Sequence, residues 1–485
     1  MYLGLDIGTS AVKAVLVDRA QRIVASASVP LVTSRPRELW SEQNPDDWWQ
    51  AAQRAVAELR AQADADWRHV KAIGLSDQMH SAVLLDRHNR PIRPAILWND
   101  GRAHAEAAEL RRRIPLIGDI AGVLPMAGFT APKLLWLKTH EPQAFAAIAK
   151  ILLPKDYVRL HMTGGFATDM CDAAGSLLFD TGKRQWSEEI VAACGLPPEA
   201  LPQALEGNAL SGRLRDEIAR DWGLEGQIAV AAGAGDAAAG AIGIGAVNEG
   251  DGFISLGTSA QYFVTRDYYR PAPASLIHTF CHGLPGRWFQ MAALLNGAGC
   301  LSWVAGVLRE KDVGKLLSEA EAAFTGPSPL IFLPYLTGER TPHNDPLAKG
   351  VFFGLTQSTR REDMVLAVVE GVALALADCQ TYLAAAGPLP RELGVIGGGS
   401  KSALWMKILD AILDHPLVLY EAGEAGSAFG AARLARLAHG SESIADVCKR
   451  PAIAARFAPD PALARAYAPR LEKFRALYRA LASLF

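Results

Sequence analysis

The sequence has no charge imbalance: 49 lysines and arginines face 51 aspartates and glutamates, a formal net charge of -2 over 485 residues. No basic block is set aside for nucleic acid and no cationic amphipathic face for a membrane surface, so a small molecule is the expected partner. Cysteines are sparse. The six (Cys171, Cys194, Cys281, Cys300, Cys379 and Cys448) form no Cys-x-x-Cys pair and read as reduced intracellular thiols rather than a disulfide framework. His278, Cys281 and His282 lie close in sequence but lack the second ligand pair of a zinc site. A convincing membrane span is missing too: the best imitation, Ile228 to Val247, is mostly Ala and Gly and carries Asp236, which suits a buried strand, turn and helix. Met1–Gly8 has no basic segment leading an apolar one and reads as strand and turn, so a cytoplasmic location is expected. Two nucleotide fingerprints are also absent, since no Gly-Lys-Ser/Thr follows a glycine-rich loop and no GxGxxG has the right spacing.

What is present is ordinary globular composition, 50% hydrophobic and 21% charged, in a chain longer than one core usually serves. Two domains are expected, 1–247 and 248–485, joined near Gly245–Gly252. An internal echo supports this. LGLDIGTSAVKAVLVD (Leu3–Asp18) and GFISLGTSAQYFVT (Gly252–Thr265) share an apolar strand, a Gly-Thr-Ser-Ala turn and a second apolar run, about half the chain apart. Gly permits the reversal, and small Thr and Ser let backbone N–H groups approach an anion. Singly, each turn reads as a plain hairpin; as a facing pair they read as a phosphate clamp made of Gly8, Thr9, Ser10 and Gly257, Thr258, Ser259. Elsewhere strands alternate with helices, which implies an α/β fold. Strands are expected at Val70–Leu75, Ala82–Asp86, Ile151–Leu153 and Glu392–Ile396. Helices are expected after Asn44-Pro45-Asp46-Asp47, after a capping Asp156, and over Asp363–Ala385, Ala403–Leu413 and Ser427–Leu437.

Asp6 ends the first strand beside the first turn. A carboxylate there repels phosphate unless a cation lies between them, so Mg²⁺ held largely through water is expected, with Lys13 in reach of a phosphate. A turn cap and an exposed charge are the plainer readings of these two residues. Gly233-Ala234-Gly235-Asp236 follows a strand and opens a helix. Asp236 is either an N-cap or a base that takes a hydroxyl proton, its ionised form favoured by the helix dipole. Gly397-Gly398-Gly399 suits backbone lying flat against a ligand. Gln78-Met79-His80 offers an apolar wall and a polar edge, though a core histidine is the plainer reading of His80.

Together, the echoed turns, the GAGD segment and the late GGG turn resemble the FGGY family of carbohydrate kinases, within the actin–hexokinase–Hsp70 superfamily. GFTAPKLLWLKTH (Gly128–His140), with Lys133 and Trp136, and GVFFGLTQSTRREDMVLAVVE (Gly350–Glu370) are similar to its two signatures. Five further stretches resemble the bacterial xylulokinase branch: LWSEQNPDDWW, DQMHSAVLLD, RPAILWNDGR, LLPKDYVRLHMTG and FLPYLTGERTPHNDP. The resemblance implies two RNase-H-like domains flanking a central cleft, and ATP- and Mg²⁺-dependent phosphorylation of a pentulose such as D-xylulose. It puts the catalytic base on Asp236, the essential N-terminal carboxylate on Asp6, and the metal near both. Sugar contacts fall on Met79, His80 and Asp236, with Trp98, Asn99 and Asp100 as pocket or core. Adenosine contacts fall on Gly398, Gly399 and Ser402. A homodimer is also implied. Ala237 departs from the branch, where Asn often follows the base, and leaves another ketopentose or a polyol open. An ATP-driven sugar sensor is the rival outside enzymes.

Overall fold

The computed structural model describes residues 1–421 and 426–485, with the side chains at 64 and 65 set aside. The first of its two seven-stranded sheets contains β1 (Tyr2–Ile7), β2 (Ala11–Val17), β3 (Ile23–Pro30), β4 (Ala72–Asp77), β5 (Leu210–Arg213), β6 (Ala229–Ala231) and β7 (Ala234–Gly235). Its order is β5-β6-β4-β1-β2-β3, with β7 also paired to β4. The second contains β8 (Gly252–Leu256), β9 (Ala260–Arg266), β10 (His278–Cys281), β11 (Trp288–Leu294), β12 (Leu393–Ile396), β13 (Leu417–Tyr420) and β14 (Ile453–Phe457), in the order β10-β11-β9-β8-β12-β13-β14. The echo is thus structural. β1–β2 and β8–β9 are antiparallel hairpins, and each first strand has a parallel partner on its other side, β4 or β12.

The helices α1 (Pro45–Trp67), α2 (Pro154–Thr163), α3 (Asp236–Ile244), α4 (Arg361–Ala386), α5 (Ala403–Leu413) and α6 (Gly426–His439) pack over these sheets, and α7 (Pro461–Leu481) packs on α4 and α5. Local chemistry starts α1: the Asn44 side chain accepts from the Asp46 amide, Pro45 takes the first position, and Asp46 and Asp47 sit at the positive end. α4 is long and apolar enough to cross a membrane, but most of it is buried in the second core beside Ile254, Leu256 and Trp405. Several expected elements move by a residue or two at their ends, and two of these shifts move a carboxylate. The strand expected at Val70–Leu75 runs over Ala72–Asp77, so it carries Asp77 into the interior. Asp156 does not precede its helix; α2 starts at Pro154, which suits a first helical position, and the Asp156 carboxylate reaches back to the Leu153 amide.

The arrangement of α6 was not foreseeable from its own sequence. It comes late in the chain, yet it packs on β1, β4 and α3 of the first sheet. Glycines make this approach possible: a Cβ at Gly4 or Gly74 would run into the carbonyl oxygens of Ala428 or Ala431, and one at Gly430 into that of Ala239. Backbone lies directly on backbone, with no flexible side chain to give way. Gly74→Val is therefore expected to destabilise the protein by about 1–3 kcal/mol or more. Denaturant unfolding checks the loss, and faster amide exchange over 426–439 locates it.

Candidate active site

Strand order brings two distant carboxylates together. Asp6 on β1 registers with Ser76 on β4, and Ser76 registers with Ala234 on β7, two residues before Asp236. Asp6, the Gln78–His80 loop and Asp236 all emerge at the carboxyl ends of parallel strands, where open α/β sheets bind ligands. They share a cavity of about 180 Å³ whose lining includes Asp6, Gly8, Thr9, Met79, His80, Trp98, Asp236 and Ser259. The two echoed turns therefore face each other across it.

The first turn is braced from behind. The Trp98 indole N–H donates to Thr9 Oγ1 (2.9 Å), and the Thr9 hydroxyl donates to Gln78 Oε1 (2.8 Å). Gln78 donates to Gln43 Oε1 (3.0 Å), and Gln43 donates to the Thr9 carbonyl (2.7 Å). The Gly8 amide closes the hairpin on the Ala11 carbonyl (3.1 Å), while the amides of Thr9 and Ser10 have no protein acceptor among the described residues. The second turn likewise leaves its amides at Gly257, Thr258 and Ser259 without protein acceptors among them. Each is a concave array of N–H donors, the chemistry of an anion nest. Gly397, at φ +93°, lies against Leu256 and Gly257, so the late glycine turn abuts the second of these arrays.

Asp236 opens onto the cavity as the first residue of α3, while Gly235 is the N-cap. Its Oδ1 accepts from the Ala237 amide (2.7 Å), and its carbonyl accepts from the Ser427 hydroxyl (3.0 Å). The expected dipole effect loses: desolvation, then repulsion from Asp6, pushes the Asp236 carboxyl up to about 7 against the pull of the Ala237 amide. Burial also raises Asp6, opposed by Lys13, its cross-strand partner, and by Ser76.

His80 sits in the left-handed region at φ +70°, rare for a residue with a Cβ. Its carbonyl is held by Lys133 Nζ (2.9 Å) and Thr130 Oγ1 (3.0 Å), which accounts for Lys133 in the signature segment. The ring Nδ1 lies 2.6 Å from the Gly175 carbonyl. A carbonyl only accepts, so Nδ1 carries the proton and Nε2 is left as an acceptor. Desolvation holds the ring well below its usual range, hence neutral.

The cavity lining excludes Ser10, Lys13, Asn99, Gly257, Thr258, Gly398, Gly399 and Ser402. Ser10, Lys13, Asn99, Thr258 and Gly398 are exposed. Ser402 caps α5 by accepting from the Trp405 amide (3.2 Å), and buried Asp100 pairs with Arg102 (2.7 Å). Conversely, Gln78, Gln261, Arg340 and Ser427 line the cavity and were not foreseen as site residues. Gln78 was within reach, being part of the tripeptide that carries Met79 and His80; the other three have no local pattern. A hydrated divalent cation fits the carboxylates: Asp6 Oδ1 is buried without a hydrogen-bond partner among the described residues, Asp6 raises Asp236, and both acids sit in a desolvated setting that a cation would relieve. No group of three or more His, Cys, Asp or Glu among the described residues is arranged as a complete metal cage, so water would fill most positions.

Known proteins resemble the chain along its whole length. Residues 1–243 match the N-terminal domain of the FGGY family of carbohydrate kinases, and residues 252–439 match its C-terminal domain. The chain is 45% identical to xylulose kinase of Escherichia coli (strain K12) over 100% of both sequences. A crystal structure of a xylulose kinase from Brucella ovis is 44% identical, covers 100% of each chain and superposes with a TM-score of 0.95. One from Rhodospirillum rubrum is 31% identical with a TM-score of 0.89, covering 100% of this chain and 99% of that one.

Proposed function

The chain belongs to the FGGY family of carbohydrate kinases and has its two-domain fold, and on that footing we propose that it transfers the terminal phosphoryl group of ATP to D-xylulose, giving ADP and D-xylulose 5-phosphate. One observation carries the reading: residues of both echoed turns (Gly8 and Thr9 of the first, Ser259 of the second), both carboxylates and the Met79–His80 loop line a single cavity. The sugar lies mainly on the first domain, 1–247, and ATP on the second, 248–485. Asp236 accepts the proton of the 5-hydroxyl as its oxygen bonds to the γ-phosphorus and the bond to the ADP oxygen breaks. His80 Nε2 accepts from a sugar hydroxyl, with Met79 and Trp98 as walls. The amides of Thr9, Ser10, Gly257, Thr258 and Ser259, with Lys13, surround the transferred phosphoryl group, while Gly398, Gly399 and Ser402 border the adenosine. Mg²⁺ held by Asp6 and Asp236 through water would supply charge neutralisation at the phosphates.

Sugar-dependent ADP release across D-xylulose, L-xylulose, D-ribulose, L-ribulose, xylitol, D-arabinitol and glycerol tests the proposal. D-xylulose is expected to dominate, and absence of turnover with every sugar would overturn it in favour of a sensor. Ala237, buried beside the base, gives a second reading some footing: with no side-chain polar group there, another ketopentose or polyol is the preferred substrate.

The base must be unprotonated to act. The acid limb of kcat/KM, which reports the free enzyme, is therefore expected near pH 7, with activity rising as pH rises through it. Asp6→Asn removes the like charge and should move the Asp236 titration to lower pH, read by carboxyl NMR of the free protein. An unmoved titration would count against the coupling.

A further inference from the structure

The segment FLPYLTGERTPHNDP (Phe332–Pro346) has no role in the mechanism above, yet it delivers Arg340 into the cavity from the second half of the chain. The guanidinium makes one hydrogen bond among the described residues, Nη2 to the Trp98 carbonyl (3.3 Å), and lies 5.6 Å from the Trp98 ring. No carboxylate among them pairs with it. Its neighbour Glu339 is engaged elsewhere, accepting from the amides of Leu295 (2.6 Å) and Arg340 (2.8 Å) and from Asn296 Nδ2 (3.3 Å), and burial pushes it up to about 7. An enclosed cation without an ion-paired carboxylate is costly; desolvation lowers Arg340 to about 10 against the smaller, opposing pull of Glu339.

The position is firmly built. Tyr335 and His343 share a hydrogen bond (2.9 Å), the His343 ring stacks on Tyr478 of α7 at 3.6 Å, and Tyr478 donates to Asp345 (2.9 Å). α7 lies beyond residue 439, where the family match ends. Gly128 leaves room for the approach, since a Cβ there would strike the Trp98 carbonyl and crowd the Arg340 guanidinium. Phe129, the residue after Gly128, packs its ring 4.6 Å from that of His80 and 5.6 Å from that of His278, so Arg340 lies at the His80 end of the cavity.

We propose that Arg340 is a substrate-binding residue: its guanidinium donates to the oxygens at the keto end of the sugar while holding the Trp98 carbonyl across the cleft. This rests on the reading above, in which the 5-hydroxyl sits at Asp236 and the C1–C2 end must point the other way. A guanidinium only donates, which matches a carbonyl oxygen, and His80 Nε2 supplies the acceptor beside it. Trp98 in turn holds Thr9, so sugar occupancy is tied to the geometry of the first anion-binding turn.

Steady-state kinetics with D-xylulose, xylitol and ATP on wild type, Arg340→Met and Arg340→Lys test this. Arg340→Met is expected to raise the D-xylulose KM about 10–100-fold, as loss of a charged hydrogen bond does, to leave the ATP KM within about twofold, and to shrink the preference for ketose over alditol. Arg340→Lys should recover part of the loss. Calorimetric binding of D-xylulose without ATP should weaken in parallel, and the melting temperature should hold. An unchanged sugar KM, or sugar and ATP KM values rising together with a lowered melting temperature, would overturn the assignment. A wild-type protein inactive on D-xylulose would instead defeat the functional reading itself.

Discussion

Asp236→Asn is expected to lower kcat by about 10²–10⁴-fold with little change in the KM for ATP. The amide keeps the size and the contact with the Ala237 amide but cannot take a proton. The same substitution is expected to raise stability above pH 7. The folded-state pKa of Asp236 is about 7, above the usual carboxylate value, so the folded protein binds this proton more tightly than the unfolded chain does. Stability from this group is therefore lost as pH rises from near 4 through 7, and Asn removes that loss. Kinetics paired with denaturant unfolding at pH 8 check both. Activity within tenfold of wild type would remove Asp236 as the base, and a clear destabilisation would contradict its desolvated setting.

Lys155→Met is expected to cost about 3–5 kcal/mol, enough to leave much of the protein unfolded at ordinary temperatures. Lys155 Nζ is fully buried among four equally buried acids: Asp169 (2.7 Å), Asp156 (3.3 Å), Asp77 (3.8 Å) and Asp172, with which it is in direct contact. Arg159 on Asp156 (2.7 Å) is the other cation of the group. Desolvation and mutual repulsion raise Asp77 well above the usual range and Asp169 to about 7. Two cations, Lys155 and Arg159, thus face four acids, and two of those acids are pushed toward their neutral forms. Without Lys155 more acids must be protonated on folding, and the destabilisation is expected to be larger at pH 8 than at pH 5.5, measured by denaturant midpoints. A loss below about 1 kcal/mol, flat with pH, would show that the network is not held by this lysine. The site would register a milder change too, because Asp172 lies against Gly235 and contributes to the raised Asp236 carboxyl.

Much of this could be read from the chain alone because it is written in short stretches. Helix Ala403–Leu413 has the bounds expected from its sequence, and α1 starts where Asn44 and Pro45 say. The two Gly-Thr-Ser turns are legible because sharp reversals need those residue types within three positions. His80 is the intermediate case. Its loop was evident, but its positive φ, its neutral state and the free Nε2 depend on Gly175, Thr130 and Lys133, drawn from two other helices.

The sequence by itself determined the α/β class, the duplicated turns, the carboxylates beside them and the likeness to a kinase family, since each rests on residues adjacent in the chain. The tertiary structure decided which of these meet. Parallel pairing of β4 with both β1 and β7 brings Asp6 to Asp236, glycine-mediated contact lays α6 on the opposite half's sheet, and the strut from α7 sets Arg340 in the cavity. The buried charges around Lys155 likewise come from β4, α2 and the segment just after it. Convergence of this kind depends on strand order and on how closely backbones can approach, and neither leaves a periodic trace in the segments that are joined.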